Sequence, residues 1–220
     1  MYRILQLLSE AEVAECKRIA ANTPFVDGRI TNPHNKAKQN EQLHDAQAYQ
    51  TSSQLLLQAY SRSQEFHEFA FPVRIAPPMM TRYKPGMKYG AHADSALIHL
   101  PHGTIRSDIS STVFLNDPAE YDGGELKIRL GDSELNFKLK PGEAIIYPSD
   151  SLHQVMPVTR GERLVAITFI QSRTQDPFRR NMLYELNEVA ALEGLKMDQE
   201  NFNRLQLVRE NLTRYWADMP

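Results

Sequence analysis

Cysteine is almost missing from the chain: Cys16 stands alone among 220 residues. That excludes an internal disulfide and a thiolate metal site. The helical pattern around Cys16 makes it a small buried hydrophobe. No apolar run reaches the roughly 20 residues needed to cross a bilayer, so no membrane partner is expected. Charge of one sign is nowhere concentrated; 25 Lys and Arg against 27 Asp and Glu leave a formal net charge of −2. Without a basic block to neutralise phosphates, nucleic acid is not the expected partner. There is no acidic tail, internal repeat or low-complexity tract. The opening, MYRILQLLSEAE, has one arginine and a very short apolar run and does not read as a signal peptide. A reducing cytoplasm is the expected compartment.

What remains is a globular composition whose length suits one enzyme-sized domain with appended helices. Ser9 and Glu12 form a capping-box pattern for a helix to about Ala21. Residues 22–44 are polar and read as a loop with one strand at most. Asp45 caps a second helix from about Ala46 to Tyr60, and Ser61 with Gln64 restarts it through Phe69. From Val73 the period shortens: RIAPPMMTRY, MKYGAHAD, DISSTVFLN, GELKIRL, SELNFKL, AIIYP, LHQVMPV and RLVAITFIQ are separated by Pro/Gly turns. Roughly eight short strands with tight turns predict a sandwich or barrel. After Asp176 the helical period returns, first to Gly194 and then from Asp198 to about Trp216. The expected fold is mainly β with flanking α: a jelly-roll (double-stranded β-helix) core over 73–173. An N-terminal helical region, 1–72, and a C-terminal helical extension, 174–220, would pack on the core or on a partner subunit, which leaves a homo-oligomer open.

His92 and Asp94 sit at i and i+2 in an extended stretch, so both side chains point to one face. Such a pair alone is a weak signal. His153 is the best third candidate, because it opens a strand after a Pro-Ser-Asp turn; taken alone it also fits a solvated turn histidine. Two imidazoles and one carboxylate make a facial triad, which leaves three octahedral positions open and suits non-haem iron better than structural zinc. Arg163 lies ten residues beyond His153, at the head of RLVAITFIQ and on the face of Val165, Ile167 and Phe169. Both faces of that strand are largely apolar. An arginine entering it needs an anion, and a carboxylate met by both arms of the guanidinium is the natural one. The competing reading leaves Arg163 in solvent or against Asp or Glu.

These residues resemble a known pattern. H-x-D, a long gap, H, then R ten positions on is similar to the 2-oxoglutarate dioxygenase superfamily. RYKPGMKYGAHAD (82–94), FLN (114–116) with YDGGEL (121–126), and KPGEA (140–144) with YPS (147–149) resemble its prolyl 4-hydroxylase-like branch, and the flanking helices resemble the bacterial PKHD-type hydroxylases. The resemblance covers nearly the whole chain, with no departure at the ligand positions. It implies Fe(II), 2-oxoglutarate and O2 as reactants, with L-ascorbate as supporting reductant. It carries His92, Asp94 and His153 over as catalytic iron ligands and Arg163 as the 2-oxoglutarate anchor. Tyr83, nine residues before His92, resembles the branch's tyrosine near the co-substrate. The reaction implied is oxidative decarboxylation of 2-oxoglutarate coupled to hydroxylation of a small molecule or a protein side chain.

Two rivals stand beside this: a cupin-like metalloenzyme or zinc hydrolase on the same triad, and a non-catalytic jelly-roll scaffold. Neither needs Arg163. His99 and His102 read as a loop at the pocket mouth, where His102 and Arg106 could meet substrate. His34, His44 and His67 read as surface residues, and Gly123-Gly124 as a turn rather than a phosphate cradle.

Overall fold

A computed structural model describes residues 1–31 and 35–218. His34 lies outside the described residues. In chain order the elements are β1 (Arg3–Gln6), α1 (Glu10–Ala21), β2 (Phe25–Asp27), β3 (Lys38–Gln39), β4 (Glu41–Leu43), α2 (Ala46–Arg62), α3 (Gln64–Ala70), β5 (Pro72–Ile75), β6 (Met79–Tyr83) and β7 (Lys88–His92). There follow β8 (Leu97–Leu100), β9 (Gly103–Arg106), β10 (Ile109–Phe114), β11 (Asp122–Gly123), β12 (Leu126–Leu130), β13 (Ser133–Phe137), β14 (Glu143–Pro148), β15 (His153–Val155), β16 (Val158–Arg160), β17 (Arg163–Ser172), α4 (Pro177–Glu193) and α5 (Gln199–Trp216).

The helices start where side-chain oxygens can meet free amide groups. Ser9 and Glu12 close the predicted capping box on α1, and Asp45, Asp176 and Asp198 each cap their helix at the third amide beyond. One cap differs from expectation. α2 runs on through Ser61 to Arg62, and α3 is capped by Ser63, whose hydroxyl accepts from the Phe66 amide. That break lets Tyr60 and Phe66, both fully buried, meet edge to face at 4.9 Å.

The larger sheet runs β1-β14-β10-β17-β6-β4-β2, with β5 on the end of β17, and the smaller runs β13-β12-β15-β7-β3. Take the eight strands β6, β7, β10, β12, β13, β14, β15 and β17 as one to eight. The first sheet then holds 6-3-8-1 and the second 5-4-7-2, all antiparallel. That interleaving is the double-stranded β-helix; both sheets keep open edges. The expected N-terminal helical region also contributes strands, since β1, β2 and β4 widen the larger sheet and β3 the smaller.

Alternation along β17 sorts its two faces. Leu164, Ala166 and Ile170 pack outward with Leu56, Tyr60 and Phe66 from α2 and α3. Val165 and Ile167 point inward with Tyr83, Phe114, Ile145 and Tyr147, between the sheets. Arg163 shares the parity of Val165 and is therefore carried inward, 1% exposed. Among the described residues no helix is long and apolar enough to cross a membrane.

Candidate metal centre

His153 and His92 are register partners across β15 and β7, where the ladder carries an irregularity. Their rings lie 4.3 Å apart at 53°. Asp94 follows just beyond β7, and its Oδ1 stands 3.7 Å from His153 Nε2. One ligand atom from each of the three residues falls within 4.8 Å of the others. The structure thus brings together the three residues that the spacing had singled out.

The surrounding hydrogen bonds set which atoms face inward. His92 Nδ1 donates to the Gly90 carbonyl at 2.8 Å, and His153 Nδ1 donates to the Ser151 carbonyl at 3.0 Å. A carbonyl can only accept, so each Nδ1 carries a proton, and Nε2 is the nitrogen that can offer a lone pair to an ion when the ring is neutral. Burial, and then the neighbouring His153, push the His92 imidazole down to about 4, which keeps it neutral. Asp94 Oδ2 accepts from Ser110 Oγ at 2.5 Å. Ser110 and Ser107 both meet Ser149 Oγ, at 2.7 and 2.8 Å, so three buried hydroxyls stand behind the carboxylate.

The triad opens into a cleft between the sheets, with Tyr83, Tyr147, Thr112 and Arg163 on its wall. The Arg163 guanidinium lies over Tyr83 and Phe114, 5.1 and 5.3 Å from their ring centroids. Its Nε has no hydrogen-bond partner, and among the described residues it makes no ion pair. The reading with Arg163 in solvent or against an acid does not hold. Burial raises the Tyr83 and Tyr147 phenols, so both stay protonated. Tyr83 Oη accepts from Asn40 Nδ2 at 3.1 Å, which leaves its own proton free.

Other expectations fare differently. His99 lies in β8 and bonds Thr104 across the β8–β9 hairpin, and His102 sits in its turn; both are exposed. Arg106 turns to Asp108 at 2.6 Å and towards Asp218, so it is committed away from the cleft. His44 and His67 are exposed, as expected. Ser110, Ser149, Tyr147, Asn40 and Lys38 were not singled out as functional. Only the inward parity of DISSTVF, which pairs Ser110 with Thr112 and Phe114, carried a signal for one of them.

Residues 78–171 match the 2OG-Fe(II) oxygenase superfamily. A PKHD-type hydroxylase of Sphingopyxis alaskensis is 56% identical over 216 residues, covering 98% of this chain and 99% of that one. The chain belongs to this family. That relative and a PKHD-type hydroxylase of Thioalkalivibrio sulfidiphilus, 42% identical over 220 residues, align over nearly their whole length, terminal segments included. Among solved structures, a Pseudomonas putida prolyl-4-hydroxylase superposes with a TM-score of 0.53 at 21% identity, over 78% of this chain and 92% of that one. The non-heme alpha ketoglutarate dependent epimerase of nogalamycin biosynthesis gives 0.57 at 16%, over 79% and 78%. These two share the fold with this chain. Membership makes the chain an Fe(II)- and 2-oxoglutarate-dependent hydroxylase. The donor set fits that pair of reagents: two imidazoles and a carboxylate for the metal, and for a dicarboxylate a buried guanidinium with no acid partner among the described residues.

Proposed function

We propose that His92, Asp94 and His153 hold the Fe(II), that Arg163 binds the distal carboxylate of 2-oxoglutarate, and that Tyr83 donates to the same end. Residues 73–173 form the catalytic domain, with 1–72 and 174–220 as its supporting flanks. When bound, the iron would supply activation of O2, with 2-oxoglutarate as the two-electron donor, so that one oxygen atom ends in succinate and the other replaces a substrate C–H hydrogen by hydroxyl. The chain's own work is orientation and exclusion of water. The backbone carbonyls of Gly90 and Ser151 fix both imidazole tautomers, and Ser110 turns Asp94 so that Oδ1 faces the histidines. Arg163 and Tyr83 are adjacent register partners on β17 and β6, which gives a carboxylate two charged or polar donors from one wall. L-ascorbate serves as the supporting reductant, and a reducing cytoplasm, where ferrous iron persists, is the compartment we assign.

The observation that carries this reading is Arg163, buried, inward and without an acid. A hydrolytic zinc site or a scaffold would have no use for it, and removing its charge would then be neutral or stabilising. The test is succinate release from 2-oxoglutarate by the Fe(II)-loaded protein. His153→Ala and Asp94→Ala should abolish it. A loaded protein that neither binds 2-oxoglutarate nor releases succinate would overturn the assignment.

A further inference from the structure

Among the described residues two buried cations lie near the triad, and the co-substrate accounts for one. The other is Lys38, 6% exposed, in the edge strand β3. It stands directly opposite Tyr89 of β7. Cross-strand partners in register share a face. Tyr89 lines the metal cleft and stacks on His92, centroids 3.6 Å apart at 15°. Lys38 therefore leaves the sheet on the face of Tyr89, where its Nζ lies 5.7 Å from the Tyr89 ring centroid, and it lines a second cleft with Asp27, Asn40 and Met87.

The groups around this ammonium do not neutralise it. Among the described residues its one hydrogen bond goes to a neutral oxygen, Thr31 Oγ1, at 2.8 Å, which is also bonded to Gln42. Asp27 and Asp94 are the carboxylates whose fields reach it, and neither forms an ion pair with it. Both Asp27 oxygens are taken by Arg29. Asp94 faces the histidines. A buried ammonium with one neutral partner is costly unless an anion joins it. Burial lowers its pKa to about 8, still charged at neutral pH. Both ends of 2-oxoglutarate are already assigned, one to the metal and one to Arg163.

We infer that Lys38 is the subsite for a free carboxylate on the substrate, held on the Tyr89 side of the His92–Asp94–His153 centre. This rests on the oxygenase reading of that centre. The substrate class is then an organic acid or a peptide with a free C-terminus, rather than an internal side chain of a folded protein.

The probes are N-acetylated amino acids and short peptides, each as free acid and as C-terminal amide. Their stimulation of succinate formation is measured on the Fe(II)-loaded protein, and their binding to metal-free protein by calorimetry. The wild type should favour acids over matched amides by roughly tenfold to a hundredfold in half-saturating concentration. K38M and K38Q should bring that ratio to about one, and K38R should retain part of it. Response to peptides alone would select the C-terminus as the source, and response to both sizes the small acid. Acids and amides responding alike, including no response to either, would overturn the inference. So would an acid preference that survives in both K38M and K38Q. Failure of the wild type both to bind 2-oxoglutarate and to form succinate would instead count against the oxygenase reading, and the calorimetric arm would still decide Lys38.

Discussion

Ser110 gives its hydroxyl proton to Asp94 Oδ2 at 2.5 Å, reaching from the larger sheet to a residue at the end of the smaller one. The bond leaves Oδ1 turned to His153 and is itself backed by Ser149 and Ser107. A partner that orients a metal-bound carboxylate is worth roughly 10- to 100-fold in metal affinity. Ser110→Ala should lower Fe(II) or Co(II) affinity by about that factor, read by competition with a chelator. Ser110→Thr keeps the hydroxyl and should restore most of it. Equal affinities in all three proteins would remove Ser110 from the site.

Arg163 makes the opposite demand. Its charge is a burden to the empty protein and an asset once a dicarboxylate is present. Losing one member of a buried charged pair costs about 2–5 kcal/mol in binding. Arg163→Met should weaken 2-oxoglutarate binding by roughly that amount while the metal-free fold is unharmed or stabilised. Arg163→Lys should not rescue it, because an ammonium cannot meet a carboxylate with two parallel bonds. Calorimetry with 2-oxoglutarate, beside thermal melting without it, separates the two effects.

The parts legible in the sequence are those where local rules and burial agree. Asp45, Asp176 and Asp198 mark helix starts because a short acid beside free amides has one good role there. Arg163 could be placed inward because strand alternation is strict and its neighbours are apolar. His92 and Asp94 followed from the same rule. The strand β1 was missed: in RILQ only Leu5 is buried, and its order comes from pairing with Glu143–Ile146 far along the chain. Residues 38–43 were read as a polar loop for a similar reason. Lys38, Asn40 and Gln42 are buried although their types are mostly exposed, because β3 and β4 seal the edge between the sheets. Ser110 and Ser149 touch only after both sheets have closed, so no spacing announces them.

Gly124 lies behind Arg163. Its φ is +69°, and a Cβ there would stand 3.1 Å from Arg163 Cδ and 3.0 Å from Val158 Cγ2. Gly124→Ala should cost about 1–3 kcal/mol of stability from the left-handed backbone alone. The contact with Cδ should also displace the guanidinium and raise the 2-oxoglutarate requirement. Gly131, with φ +61° and open space around it, supplies the comparison. Gly131→Ala should destabilise without touching 2-oxoglutarate binding. If both variants bind the keto acid as the wild type does, Gly124 is only a turn.

Lys38 should leave a mark on stability that needs no substrate. In the folded protein burial lowers its pKa to about 8 from 10.5, against the raising fields of Asp27 and Asp94, with Thr31 as hydrogen-bond partner and Tyr89 beside it. The unfolded chain therefore binds more protons than the folded one between those values. Stability from this group must rise with pH across roughly 8 to 10.5, and the full penalty applies below 8. Lys38→Met removes the penalty. The metal-free variant should be about 1–3 kcal/mol more stable than wild type at pH 7. That advantage should shrink steadily towards pH 10.5, where the wild-type ammonium is lost in both states. Urea unfolding of the two proteins at several pH values measures the difference, in which the other lysines and tyrosines cancel. A stability gap that stays constant with pH would mean that the Lys38 charge is already compensated, and the case for a substrate carboxylate at that position would weaken with it.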